Sequence, residues 1–165
     1  MKNFPVIDKE TGREYWISRS VAVVVGVFTK DSFLVVQRGT GTPDPEFVGK
    51  YCMPCGYLDF DETCVQAAKR ELFEETGLSL PEHYFELASI NDEPDKDKRQ
   101  NITFRYIVKL ALPTKDVESM LSTKHSEENE VSSIKFINIK DIDKYEYAFN
   151  HNDLIKKLWQ ESKIN

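Results

Sequence analysis

The hydrophobic pattern along the chain switches between strand-like and helix-like periods. Val21 to Phe28 is β-branched and nearly continuous, as a strand buried on both faces would be. The polar turn Thr29 to Ser32 separates it from Phe33-Leu34-Val35-Val36-Gln37, so the pair reads as a hairpin. Gly39 to Pro45 is a Gly- and Pro-rich loop, and Tyr51 to Pro54 is a short extended piece leading into Gly56.

The best helical pattern follows. Asp61 is placed to cap it, Val65, Ala68 and Leu72 form an apolar stripe, Gly77 is placed to end it, and Pro81 bars its resumption. Residues 91–100 are a charged, solvated loop, and Ile102 to Val108 alternates as a strand. The polar stretch 113–129 holds a short helix about Val117 to Leu121, and Ile134 to Ile137 is a further strand. From Phe149 to Ser162, the residues Leu154, Ile155, Leu158 and Trp159 give a closing amphipathic helix. No repeat or composition break divides the 165 residues, so one domain over 1–165 is expected. Strands before, between and after helices predict an α/β (α+β) fold with a mixed central sheet between helical layers.

Composition narrows the partners. Hydrophobic residues are 40% and aromatics 12%, enough for a packed core. Lys plus Arg number 22 against 28 Asp plus Glu, a formal charge of -6, which lacks the basic footprint of a nucleic-acid binder. A phosphate compound remains compatible if a cation stands between it and the protein. The cysteines Cys52, Cys55 and Cys64 are an odd number crowded in one region, which points to a reducing, cytoplasmic setting rather than a disulfide framework. Met1 to Arg19 has no apolar signal region, and Val21 to Phe28 is far shorter than the ~20 residues of a membrane span. The expected partner is a small phosphorylated substrate, with no membrane and no nucleic acid; a homodimer is left open.

On the central helix Glu71, Glu74 and Glu75 stand three and four apart and project from one face beside the apolar stripe. Like charges at this spacing each cost roughly 0.2–0.5 kcal/mol. Solvent with Lys69 and Arg70 is one compensation; a hard divalent cation, Mg²⁺ or Mn²⁺, is the other. Spacing on this helix alone leaves both open.

The wider pattern runs Gly56, Glu62, Arg70-Glu71-Leu72, Glu74-Glu75 and Gly77-Leu78, and it resembles the Nudix box at every defined position. Such a coincidence of seven identities and two aliphatic positions is on the order of once per billion starting points. Pro54-Cys55-Gly56 stands where the family has Pro-Gly-Gly, and Val35-Val36-Gln37-Arg38 and Glu130-Val131 with Ile134-Lys135-Phe136 resemble its flanking segments. The resemblance implies an α/β/α sandwich and a Mg²⁺- or Mn²⁺-dependent hydrolase that cuts a diphosphate linkage in a nucleoside diphosphate joined to another moiety. It implies metal ligation by Glu71, Glu74 and Glu75, with Glu62 supporting or metal-proximal and the Cys55 carbonyl as a neutral ligand. Arg70 falls on the arginine that holds these carboxylates. The bound cation offsets phosphate charge and acidifies a water, whose proton a carboxylate removes. Glu71 is favoured as that base, Glu130 second, with Glu127 and Glu128 as further candidates.

Substrate recognition is less marked. Arg38 at a strand end can reach a phosphate or pair with a surface acid. Arg99 and Arg105 flank a loop that in the family often lines the substrate site. Trp16, Tyr51, Phe104 and Tyr106 are candidate stacking platforms, although such aromatics are more often core. Cys52 and Cys55 form a CxxC read as structural, and His125 and His151 are read as surface residues. A Nudix-fold nucleotide-sensing module without turnover is the competing reading; it would ordinarily lose box carboxylates, which are retained here.

Overall fold

A computed structural model of the chain describes residues 3–94, 100–126 and 129–164. Two segments that the hydrophobic pattern does not announce come first. β1 (Phe4–Ile7) and β2 (Glu14–Ile17) pair antiparallel as a separate sheet. The Asp8 carboxylate organises their turn by accepting the N–H groups of Glu10 and Thr11 at 2.8 and 2.9 Å.

Among the described residues the main sheet has seven strands: β3 (Val21–Phe28), β4 (Ser32–Arg38), β5 (Tyr51–Cys52), β6 (Cys55–Tyr57), β7 (Glu86–Asn91), β8 (Ile102–Lys109) and β9 (Val131–Asn138). β3 runs parallel to β8, while the β3–β4, β3–β6, β4–β5, β4–β9 and β7–β8 pairs are antiparallel, so the sheet is mixed as expected. The β3–β4 hairpin closes at Phe28 and Phe33, after which β6 takes over the edge of β3 from Val24 to Ala22. This handover leaves a place beside β3 where the box loop is held against the sheet.

β3 is buried on both faces because successive side chains alternate between two cores. Val23, Val25 and Val27 pack with Ala67, Ala68 and Leu72 of α1 (Cys64–Thr76). Val24 and Phe28 pack with Ile155, Leu158 and Trp159 of α3 (His151–Ile164). A Cβ at Gly26 would stand 3.2 Å from Leu158, so the bare backbone there lets α3 lie close on the sheet.

The structure corrects several boundaries. Thr63, not Asp61, caps α1: its hydroxyl accepts the Gln66 N–H, and the Gln66 side chain accepts the Thr63 N–H, a capping box. Asp61 instead takes a left-handed turn conformation with φ 66°. The helix ends where expected, on Gly77 at φ 74°. α2 spans Thr114–Glu118 rather than Val117 to Leu121, since Pro113 pre-sets the backbone for a turn starting directly after it. β9 is longer than Ile134 to Ile137 because pairing with β4 continues at both ends. β7 escaped the pattern because it is an edge strand with exposed Leu87 and Ile90 and a bulge between Leu87 and Ser89. α3 starts at His151; Phe149 and Asn150 before it are left-handed, with φ 59° and 57°. Among the described residues, no helix is long and apolar enough to cross a membrane.

Removing the Thr63 hydroxyl in Thr63→Ala is expected to cost about 1 kcal/mol in urea unfolding. Asp61→Gly is expected to be neutral or stabilising, since it relieves a positive φ without removing a cap. A larger loss for Asp61→Gly than for Thr63→Ala would reverse the assignment.

Candidate active site

The first turns of α1 bring Arg70 over the loop that follows β6. Its Nε donates to Glu62 Oε2 at 3.1 Å and one terminal nitrogen to Glu62 Oε1 at 2.7 Å, a two-pronged grip. That nitrogen also donates to the Tyr57 carbonyl at 2.9 Å. The other terminal nitrogen is shared between Glu71 at 2.8 Å and Glu74 at 3.0 Å. Hydrogen bonds donated to Glu62 are the main cause that holds the guanidinium well above its ordinary pKa, and Arg70 in turn lowers Glu62. Glu62 is therefore turned toward Arg70 and caps the Asp59 N–H at 2.8 Å, which places it as a brace within the loop.

The three box carboxylates differ sharply in burial. Glu75 is only 3% exposed, while the Glu74 side chain is 43% exposed and Glu71's 13%. Of the three carboxylates expected to project from one face, only Glu74 is largely open to solvent. Glu75 turns under the sheet edge and accepts the Cys55 N–H at 3.1 Å. Glu71 lies directly beneath Gly56, where a Cβ would collide with its carboxylate, so only glycine permits this approach. Burial pushes Glu71 up to about 7; Arg70 opposes this, and the charges of Glu74 and Glu130 add to it. Burial also drives Glu75 well above the usual carboxylate range, reinforced by Cys55, Glu71 and Glu130. Glu71, Glu75 and Glu130 thus face one another electrostatically. Among the described residues, no three acid, histidine or cysteine side chains already form a closed cation cage.

Beside this group opens a cavity of about 580 Å³, large enough for a nucleotide-sized ligand. Cys55, Gly56 and Glu130 border it on the box side; Arg38, Arg105 and His151 stand on the wall built by β4, β8 and the start of α3. Arg38, Arg105 and Glu130 from the sequence reading are therefore brought to one cavity. Glu62, Arg70, Glu71, Glu74 and Glu75 lie behind its box-side border. Arg99, Glu127 and Glu128 fall outside the described residues. Trp16, Tyr51, Phe104 and Tyr106 do not line the cavity; Tyr57 and Phe149 are the aromatics that do.

His151 overturns its reading as a surface residue. It is buried, and its Nδ1 accepts the Met53 N–H at 3.0 Å. Burial, aided by the positive charges of Arg105 and Arg38, lowers it to about 3, so it is neutral at physiological pH. Phe149 and Asn150, also on this wall, were not picked out either; the closing amphipathic pattern has no feature that marks where its first turn meets a ligand space. His125 is exposed as expected, its ring 4.5 Å from Phe73. The three cysteines are free; Cys55 has its thiol raised by a hydrogen bond with Cys52 and by burial, the opposite of a reactive thiol.

A carboxylate-rich helix after a glycine loop, clamped by one arginine at the rim of a cavity, is the arrangement of a Nudix fold. The family described as the NUDIX domain matches residues 18–158, and the chain belongs to the Nudix family. Among curated relatives, the phosphatase NudJ of Escherichia coli strain K12 is 34% identical over 102 residues. That match covers 60% of this chain and 61% of the relative, so the chain spans about three fifths of the length of the curated relatives it matches. The NUDIX domain of Shewanella oneidensis NrtR, solved with ADP ribose, has a TM-score of 0.68 at 23% identity, covering 89% of this chain and 90% of that one. A bifunctional NMN adenylyltransferase/ADP ribose pyrophosphatase from Francisella tularensis, solved with AMP and a Mn ion, has a TM-score of 0.68 at 27% identity. It covers 87% of this chain and 42% of the other.

The buried imidazole sets a pH dependence of stability. An unfolded His151 takes up a proton below about 6.5, whereas the folded one stays neutral down to about 3. Its contribution is therefore complete above that upper value and is lost as pH falls through the interval. Between pH 7 and 5 the wild type is expected to lose on the order of 2 kcal/mol more stability than His151→Asn, by urea unfolding at each pH. Parallel losses in both proteins would refute this.

Proposed function

We propose that the chain is a hydrolase dependent on Mg²⁺ or Mn²⁺ that cuts the diphosphate linkage of a nucleoside diphosphate joined to another moiety. The observation that carries this reading is the crowding of Glu71, Glu75 and Glu130 beside the cavity edge at Cys55 and Gly56. Buried carboxylates with like-charged neighbours are costly unless a cation is shared among them. Their oxygens are the hard donors that Mg²⁺ and Mn²⁺ prefer. Glu71 and Glu75 thus fit the family's cation, with the Cys55 carbonyl and Glu74, which Arg70 ties to Glu71, completing the set that would hold it and Glu62 supporting from the Arg70 side. When bound, such a cation offsets phosphate charge and makes a water easier to deprotonate.

The chain's own groups have separate tasks. Arg70 keeps Glu71 and Glu74 turned toward each other, as its shared terminal nitrogen already does. Glu71 takes the proton of the attacking water, with Glu130, on the cavity border, as the second candidate. Arg38 and Arg105, which line the same cavity, receive substrate. The manganese-bearing Francisella neighbour and the NudJ phosphatase support hydrolysis at phosphorus in a nucleotide-like compound. The proposed unit is one domain over residues 1–165. Free cysteines fit a cytoplasmic setting.

A panel of nucleotide-linked diphosphates with Mg²⁺ or Mn²⁺, read by phosphatase-coupled phosphate release, tests the activity. Glu71→Gln is expected to lower kcat by roughly 10²–10⁴, and excess chelator to abolish turnover. Glu75→Gln should also lose turnover, yet unfold at a higher temperature than wild type in chelator at pH 8, because it removes a carboxyl whose ionisation burial opposes and keeps an acceptor for Cys55 N–H. Ligand-induced stabilisation without turnover of any substrate would replace the hydrolase with a binding module.

A further inference from the structure

Two guanidiniums, those of Arg38 and Arg105, line the cavity beside His151, with Asp153 and Glu130 also on its border. Arg38 is 6% exposed, and its guanidinium lies 5.2 Å from the centre of the Phe149 ring. One terminal nitrogen donates to the Thr42 hydroxyl, while Nε is buried without a partner. Arg105, opposite Val24 and Ser89 in the sheet, likewise has a buried Nε without a partner. Among the described residues, neither guanidinium forms an ion pair with a carboxylate. Glu161 acts on Arg105 only through space, and burial is the larger influence on that side chain.

His151 stands close enough to both for their charges to act on it. It contributes an uncharged ring to the wall, anchored through Nδ1 to the Met53 backbone. Phe149, which backs Arg38, and the adjacent Asn150 are both held in the left-handed region. Residues other than glycine resist that region, and it persists where the surroundings fix it, typically at ligand sites.

Withdrawing guanidinium donors from water without a partner is unfavourable, and the planar fork matches the tetrahedral oxygens of phosphate. We infer that Arg38 and Arg105, set around His151, form a phosphate subsite that works without any divalent cation, so that the cavity favours substrates with a phosphate monoester at this wall over those with an uncharged group there. The inference rests on reading the cavity as the substrate site. It deepens that reading by dividing the site into a cation-dependent box side and a cation-independent arginine side.

Inorganic phosphate, titrated into the full chain in excess chelator and followed by calorimetry, tests it, with acetate as the competing anion. Wild type should bind phosphate in the millimolar range and acetate far more weakly. Arg38→Met and Arg105→Met should each weaken phosphate binding by about tenfold or more. Should either variant fail to melt cooperatively, Arg105→Lys keeps the charge but loses the fork and should still bind measurably more weakly. Glu71→Gln should bind phosphate like wild type while losing hydrolysis, so the two readings fail separately. No phosphate binding by wild type in chelator, equal affinity for acetate, or affinity unchanged in the folded arginine variants would overturn the subsite.

Discussion

Concentrating acids on one helix is unfavourable unless something holds them together, and in this chain that holder is Arg70. One guanidinium braces Glu62, Glu71, Glu74 and the Tyr57 carbonyl, so it joins the helix to the loop before it. Glu71 can then lie against Gly56, and Glu75 can reach the Cys55 backbone. Exposed ion pairs contribute little, but a half-buried network with two-pronged geometry positions groups even where its net energy is modest. The proposed chemistry depends on this because carboxylates that spread apart could not share a cation.

The second organising feature is the cluster of Arg38, Arg105 and His151 on the cavity, where the histidine is kept neutral beside two guanidiniums. A protonated imidazole there would add to the repulsion between the two arginines. Its burial and its acceptor bond to Met53 suppress that state without any neighbouring acid being required.

Much of the fold was legible because its strands and helices keep strict periods. β3, β4, β8 and α1 follow from β-branched runs and a 3.6-residue stripe, and the box motif marks the acidic helix. β1, β2 and β7 were not legible, since β1 is exposed throughout, β2 nearly so, and β7 buries no regular alternation. Glu62, Arg70 and Glu71 stood out through the family resemblance rather than through spacing alone; the burial of Glu75 was not legible, because it depends on how closely the Cys55 backbone approaches the helix. His151 was misread because a histidine at the head of an amphipathic helix looks solvated until Met53, distant in sequence, is seen to donate to it.

The alternation of β3 between α1 and α3 has a further consequence for how such a chain can drift over time. Inserting or deleting one residue within Val21–Phe28 would exchange every side chain between the two cores, sending Gly26 toward α1 and a valine into the tight contact with Leu158. Changes of length are therefore excluded from this strand and fall to connections such as 111–126, which lie outside the strands of the main sheet.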